Sequence, residues 1–486
     1  MIKQWLVSLG VALAGMLSLQ HAAAETEYIR VGSIHDTSGI FGHYGRSMDE
    51  AVTLAIEEIN AEGGLLDKQL RKIAFDTQSK GDLYNEYTDT LIAEEVHVVH
   101  GAILSSDREA IRQKLREAEI PYFYNTQYEG GVCDRNTFLT GVTPAQQAQV
   151  LMPEVIERWG KKIAIVAADY NYGQITATWI KFFAEKHGAE IVNTQFFDLG
   201  ATDFSDAIDQ IENAEADFVV SILVGGAHLS FYRQWATSGL KDIIPIASTT
   251  MGAGNEQVAL TVDEVDGMMM VYSYSKELAT PENQSFLDRW TERFGDTDDI
   301  HELAVSTYQG VHAWAEAVRR AGSVDREKII KTLEEDLHID APTGDFAIDP
   351  LTHHAITTVH LMEVKNQKME VVKTYKSMPP LDTQIVCNLH TKPDDNDQYA
   401  ISVELFDIMF PTTSLPATDA KPSADTEPLA DTESSTDAEP SADTEPATDT
   451  ESSTDNEPAT DVKSTDTESS TDTESSTDTE STTVDK

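Results

Sequence analysis

Cysteine, basic residues and long apolar runs are all scarce in this chain, which has two cysteines and 35 Lys plus Arg against 84 Asp plus Glu in 486 residues. Two cysteines cannot make the disulfide framework of a small secreted scaffold, and no C-x-x-C pair is present. A formal net charge of −49 denies the chain the basic face that displaces counterions from phosphates. Nucleic acid and anionic lipid surfaces are therefore excluded as partners. No G-x-S-x-G elbow, Walker loop or H-E-x-x-H pair occurs, and glycines 39, 42 and 45 of GIFGHYG miss the dinucleotide spacing. No cofactor is expected. His353 adjoins His354, and Asp298, Asp299, His301 and Glu302 cluster, but without the ligand spacing of zinc, so these read as surface rather than as a metal site. The chain is not expected to be an enzyme. A hydrolase would have to use Asp169 or Glu129 as acid or base, and no nucleophile–base pairing accompanies them.

The two ends differ from the body. Lys3, an apolar stretch from Trp5 to Leu19, and then Ala22 and Ala24 have the anatomy of a secretory signal too short to span a bilayer comfortably. Residues 1–24 are predicted to be a signal peptide cleaved after Ala24, with no cysteine following to take a lipid. Residues 412–486 carry 21 acidic residues against 3 lysines, repeat ADTEP and TDTESS, and hold no aromatic side chain. Such a segment cannot bury enough apolar surface to offset its chain entropy, so a disordered acidic tail is expected. A spacer, a solubility tag and an O-modified stalk all fit its composition. In the oxidising compartment that export implies, Cys133 and Cys387 either bridge or remain two buried thiols.

From Tyr28 to about Val372, short β-branched runs alternate with helical periodicities, the pattern of an α/β protein. YIRVGSIHD reads as a buried strand. Met48, Val52, Ala55, Ile56 and Ile59 then recur at helical spacing until Gly63-Gly64. LRKIAFDTQ, VHVVHGAIL, IPYFYNT and TFLTGV come next as strands separated by helices. A second series starts near Pro144 with KKIAIVAAD, AEIVNTQFF, ADFVVSILV, IIPIAST and GMMMVYSY. Helices resume over Gln284–Phe294 and Leu303–Ala321, and extended structure is expected from Gly344 to about Phe410.

In open α/β sheets ligands bind outside the carboxyl ends of the strands. At four such ends the sequence places Ser105 and Ser106, then Tyr124, Asn125 and Thr126, then Tyr170 and Tyr172, and finally Val224 before Gly225-Gly226. Phenols give an apolar wall with a polar tip, hydroxyls pair with amide groups, and glycines admit close backbone approach. This chemistry suits a small neutral polar ligand.

The opening IRVGSIHDTSGIFGHYGRSMDEAVTLAIEEINAEGG resembles the start of type I periplasmic solute-binding proteins, the two-lobed receptors of branched-chain amino acid and related uptake systems. GAILSSDREAI, PYFYNTQYEGG, TPAQQ, AADYNYG, VGGAHLSFYRQW, STT and IDAPTGDFAID are similar, in order and spacing, to the short-chain amide and urea branch. The resemblance covers most of residues 28–390 and implies two doubly wound Rossmann-like lobes joined by a hinge. The chain would cross three times, with residues 25–143 plus 274–342 in lobe 1 and 144–273 plus 343–411 in lobe 2. It implies a cleft lined by Ser105, Tyr124, Thr126, Tyr170 and Tyr172, with Val224 and Gly225 approaching from lobe 2. Ile103 stands where the amide branch can place another tyrosine. The implied function is a periplasmic, monomeric receptor that captures urea, acetamide or formamide and hands it to the permease of an ABC transporter. The alternatives are a branched-chain amino acid receptor and an amide sensor controlling a partner protein.

Overall fold

The computed structural model describes residues 28–295, 299–335, 337–400 and 403–409. The expected signal peptide, the acidic tail and Asp298 lie outside the described residues. Among the described residues no helix is long and apolar enough to cross a membrane.

The first series forms β1 (Ile29–His35), α1 (Gly42–Ala61), β2 (Leu70–Asp76), α2 (Gly81–Ala93), β3 (Val98–Gly101), α3 (Ser105–Glu117), β4 (Tyr122–Tyr124), β5 (Val132–Asp134) and β6 (Thr137–Leu139). Its sheet is parallel with order β2-β1-β3-β4-β6. The second series begins with α4 (Pro144–Trp159), β7 (Lys162–Ala168), α5 (Asn171–Lys186), β8 (Glu190–Phe197), α6 (Ser205–Asn213), β9 (Phe218–Ile222), α7 (Gly226–Thr237), β10 (Ile246–Ser248), α8 (Val262–Val265) and β11 (Met269–Tyr272). Its parallel strands run β8-β7-β9-β10-β11, the same winding once more. In both sheets the connections diverge at one point, between β1 and β3 and between β7 and β9. Crevices open there at the carboxyl ends of the strands.

The chain then returns to the first sheet with α9 (Pro281–Phe294), α10 (Glu302–Ala321) and α11 (Arg326–Leu333). Trp290, Trp314 and Val318 join Ile29, Val52 and Ile59 in one apolar core. The hairpin β12 (His338–Ala341) and β13 (Gly344–Ile348) leads into β14 (Ala355–Lys365) and β15 (Lys368–Met378), which extend the second sheet antiparallel beyond β11. Phe346, Ile348 and Ala355 still pack in the first core, and Val359 and Leu361 reach the second.

Extended structure does not run on to Phe410. Pro379 and Pro380 come directly after β15 and supply no N–H for a ladder, so pairing stops there. The chain continues instead as α12 (Leu381–Gln384), a short β16 (Asn396–Gln398) and α13 (Val403–Met409). Strand β16 goes back to the first lobe and pairs antiparallel with β5. Cys387 is bonded there to Cys133, with Cα atoms 5.4 Å apart. Tyr399 N–H donates to the Gly131 carbonyl at 2.8 Å. Phe406 then packs on Trp179 and Phe183 of α5, in the second lobe.

Side-chain bonds fix the crossings. Gln146 Oε1 accepts from the Thr143 amide at 2.9 Å, completing a capping box at the start of α4. Its Nε2 donates to the carbonyls of Ala355 and Met378, each at 2.8 Å. Thr143 Oγ1 donates to Asp382 Oδ1 at 2.5 Å. Burial of Asp382 raises its carboxyl to about 6, only partly countered by the Thr143 bond. The chain near Thr143, Ala355 and Met378–Asp382 is thereby held together where it passes between the two sheets.

Candidate functional site

Between the lobes lies a cavity bounded by both crevices. From the first lobe come Phe41, Tyr44, Ile103, Leu104, Ser105, Tyr124, Thr126, Gln127 and Leu303, and from the second Tyr170, Tyr172, Val224, His228, Thr250 and Ala253. About 40 Å³ is open to the centre of a water-sized sphere. That is room for roughly three waters, or for a solute of a few heavy atoms. Six of the seven residues expected in the cleft line this cavity. Gly225 lies beside it, at φ +62°, and the group nearest to it is protein: a Cβ built there would meet the Phe41 ring at 3.0 Å.

Four helices begin at the cavity wall. The residues flanking the starts of α1, α3, α5 and α7 are Phe41, Leu104, Tyr170 and Gly225, and none provides a side-chain cap. The first N–H groups of a helix have no intrahelical acceptor, and the helix dipole adds partial positive charge at that end. No Lys or Arg lines the cavity. The wall therefore favours a carbonyl or carboxylate oxygen without a cationic side chain.

Four of the hydroxyls named from sequence are bonded within the protein. Ser105 Oγ donates to Glu129 Oε2 at 2.6 Å, Tyr124 Oη to the Ile103 carbonyl at 2.6 Å, and Thr126 Oγ1 to the Ala102 carbonyl at 3.3 Å. Tyr172 Oη shares a 3.3 Å bond with Thr249 Oγ1. Burial pushes the phenols of Tyr124 and Tyr172 well up, so both stay protonated. Beneath Tyr124 lies Arg108, fully buried, its guanidinium 5.0 Å from the Tyr124 ring centroid and 4.8 Å from that of Tyr128. Glu129 pairs with it at 2.8 Å. Glu129 is thus neutralised by Arg108 instead of being free as an acid or base. Asp169 is exposed and accepts from Gln174 at 2.8 Å.

The lobes are shut on one another. Tyr44 Oη donates to Glu256 Oε1 across the cleft, and Glu256 Oε2 accepts from the amides of Gly252 and Gly254 at 2.7 and 3.3 Å. Tyr44 lies so close over Gly254 that a Cβ there would come within 2.1 Å of Cε1. Asn171 Nδ2 reaches Glu129 Oε1 from the second lobe at 3.3 Å.

Sequence reasoning missed Phe41, Tyr44, Gln127 and His228. GIFGHYG and VGGAHLSFYRQW are plain in the sequence, but nothing in their spacing says that Phe41 and Tyr44 meet bare glycine backbone in the opposite lobe. His228 is fully buried on the first turn of α7, and burial lowers its imidazole to about 4, with Glu256 opposing and His43 adding to the shift. His353, read as surface, is buried, its Nε2 3.1 Å from Glu334 Oε1. His354 is buried too, with Nδ1 2.7 Å from the Thr352 carbonyl and Nε2 against the Tyr128 hydroxyl. The partners of His354 are buried, whereas Glu334 beside His353 is partly exposed and also pairs with Arg135 at 3.0 Å. His301 accepts from the Ala304 amide as the cap of α10, and Glu302 accepts from Ser273 Oγ at 2.8 Å. Among the described residues no group of three or more His, Cys, Asp or Glu could hold a metal ion.

Known proteins resemble this chain in sequence and fold. The Leu/Ile/Val-binding protein homolog 6 of Brucella melitensis is 21% identical over 357 residues, covering 72% of this chain and 90% of that one. The leucine-, isoleucine-, valine-, threonine- and alanine-binding protein of Pseudomonas aeruginosa is 24% identical, covering 70% and 90%. Among solved structures, an R. palustris ABC-transporter solute-binding protein in complex with 4-hydroxybenzoate superposes with TM-score 0.66 at 24% identity, over 73% of this chain and 98% of that one. The branched-chain amino acid transporter substrate-binding protein of Streptococcus pneumoniae, in complex with isoleucine, gives 0.65 at 23%, over 72% and 100%. Residues 28–368 match the family described as periplasmic binding protein, and the chain belongs to that family.

Proposed function

We propose that the chain is the periplasmic solute-binding component of an ABC importer and that its solute is a small aliphatic amino acid of the branched-chain class. The observation that carries this reading is the cavity itself. Four uncapped helix starts lie at the cavity, and Phe41, Ile103, Leu104, Val224, Ala253 and Leu303 give part of its wall an apolar face beside the hydroxyl, phenol, amide and imidazole groups. Such a wall suits a carboxylate at one end and an alkyl group at the other. The P. aeruginosa relative, named for leucine, isoleucine, valine, threonine and alanine, and the S. pneumoniae structure, in complex with isoleucine, support the same choice. No bond is made or broken. The solute holds the lobes shut because it binds the closed state better than the open one, and the closed form is what the permease receives.

A second reading, capture of urea or a short amide, is favoured by the cavity's size, about 40 Å³, and by the absence of an ionised side chain from its lining. Calorimetric titration of the purified chain with leucine, isoleucine, valine, alanine, urea and acetamide separates the two. Micromolar or tighter binding of an aliphatic amino acid supports the first reading. Binding of urea or acetamide alone replaces it with the second, and hydrolysis of either amide would refute a receptor role.

A further inference from the structure

The segment after β15 is tied to the cavity wall through residues that do not themselves line the cavity. Strand β16 and the residues before it are bonded to α3. Asn396 Oδ1 accepts from Arg112 Nη1 and its Nδ2 donates to Gln113 Oε1, each at 2.5 Å, and Arg116 Nη2 donates to the Asp394 carbonyl at 2.7 Å. Helix α3 is the one that begins at the cavity with Ser105. Gln398, at the end of β16, is bonded elsewhere. Its Nε2 donates to Glu129 Oε1, and to the Gly130 carbonyl at 3.3 Å. Glu129 is fully buried in the loop between β4 and β5, and the same loop carries Thr126 and Gln127 into the cavity wall.

Glu129 is where this segment meets both lobes. Its Oε2 accepts from Ser105 Oγ at 2.6 Å, while Oε1 accepts from Arg108 Nη2 at 2.8 Å, from Asn171 Nδ2 of the second lobe at 3.3 Å, and from Gln398. The bond to Arg108 does not by itself fix which way the carboxylate points. Arg108 Nη1 is buried without a hydrogen-bond partner among the described residues, so the guanidinium offers the same carboxylate a second seat. A buried, unpaired donor costs free energy until an acceptor reaches it. A turn of the carboxylate toward Nη1 would take Oε2 from Ser105 and Oε1 from Asn171. The Gln398 amide opposes that turn with a charge-assisted bond, and it holds the adjoining backbone at Gly130 as well. We propose that Gln398 is a positioning residue for solute binding: by fixing the Glu129 carboxylate it keeps Ser105 set in the cavity wall and keeps an acceptor facing Asn171 of the other lobe. The inference rests on solute capture in the cleft and on neither choice of solute.

The test compares the full chain with Gln398→Leu, Gln398→Lys, Asn171→Ala and the double variant Gln398→Leu/Asn171→Ala. Each is titrated calorimetrically with L-leucine, L-isoleucine, L-alanine, urea and acetamide, after thermal melts that check folding. For a probe that binds the parent, Gln398→Leu is expected to weaken affinity about tenfold, the worth of one hydrogen bond to a charged group. Gln398→Lys still offers Glu129 a donor and should keep most of that affinity. Asn171→Ala should weaken binding in the parent but change little in the Gln398→Leu background, where the acceptor it would have met is already displaced. A role confined to stability would instead make the two losses multiply. Hydrogen exchange read by mass spectrometry, without solute, should show residues 125–131 exchanging about fivefold faster in Gln398→Leu than in Gln398→Lys. If Gln398→Leu does not fold, Gln398→Ala takes its place. Unchanged affinity in Gln398→Leu, or losses that multiply, overturns the positioning role and leaves the receptor reading standing. Silence of the parent with all five probes overturns both solute readings, and the exchange comparison then decides Gln398 alone, equal rates overturning its role and faster exchange upholding it.

Discussion

Replacing Gly254 with alanine tests whether closure is a distinct state of this molecule. The backbone at Gly254 is not in the left-handed region, so alanine costs nothing locally. Its Cβ would nevertheless lie 2.1 and 2.4 Å from Cε1 and Cδ1 of Tyr44, where carbon atoms normally stand about 3.5–4.0 Å apart. Tyr44 belongs to the first lobe and Gly254 to the second, so opening parts them and removes the clash. Overpacking of this kind costs about 1–3 kcal/mol. Borne by the closed state alone, it weakens solute binding by roughly 5- to 150-fold, since the solute must first bring the lobes together. Calorimetry should show that loss, and small-angle scattering should show a more open variant at a given solute concentration. In a Tyr44→Ala background the same glycine change should cost little, because the ring it collides with is gone. An unchanged affinity for Gly254→Ala, or an equal loss in both backgrounds, would refute the claim that this contact forms only on closure.

Arg108→Ala strands the fully buried Glu129 and should cost on the order of 3–5 kcal/mol in urea denaturation, most of it recovered when Glu129→Gln is added. Cys387→Ser removes a bridge spanning 254 residues, for which the chain-entropy relation gives about 5.5 kcal/mol as an upper figure. A guanidinium midpoint equal to the parent's would show that the bridge adds nothing. Burial raises Glu302 from 4.5 to about 7, with the Ser273 bond opposing. Between those values the native protein holds a proton that the unfolded chain has released, so stability falls as pH rises through the window and levels above it. Glu302→Gln should flatten that slope, so that between pH 4.5 and pH 8 the variant gains about 2–4 kcal/mol on the parent in denaturant titrations.

The alternating strands and helices of both series were legible because each buries a continuous β-branched run between helical periodicities, and the strand-end rule brought Ser105, Tyr124, Thr126, Tyr170, Tyr172 and Val224 to one cavity. Local sequence carries that much. It did not carry Tyr44 on Gly254, or Phe41 on Gly225, because these meetings depend on how two lobes face each other over more than a hundred residues of separation. The return of β16 to β5 was hidden for another reason. Asn396–Gln398 is polar, short and without alternation, and its place is fixed by a partner strand and by Cys387 rather than by its own pattern. The solute's identity lay further out of reach. Hydroxyls at strand ends suggested a small neutral polar ligand and the family resemblance an amide, but which hydroxyls keep a free hydrogen depends on carbonyls and a carboxylate supplied by neighbouring loops.

The C-terminal segment also sets a mechanical limit. Tyr399 is hydrogen-bonded to the first lobe and Phe406 is seated among the aromatic rings of α5 in the second. They stand seven positions apart in sequence, and fully extended that length spans at most about 25 Å. However wide the hinge could swing, these two anchor points cannot move further apart than that without pulling Phe406 from its seat. On the transport reading, the linkage between these two anchor points would act as a check strap on an opening stroke. A receptor restrained in this way has less travel to lose on closing, and so its open ensemble gives up less entropy when a solute arrives.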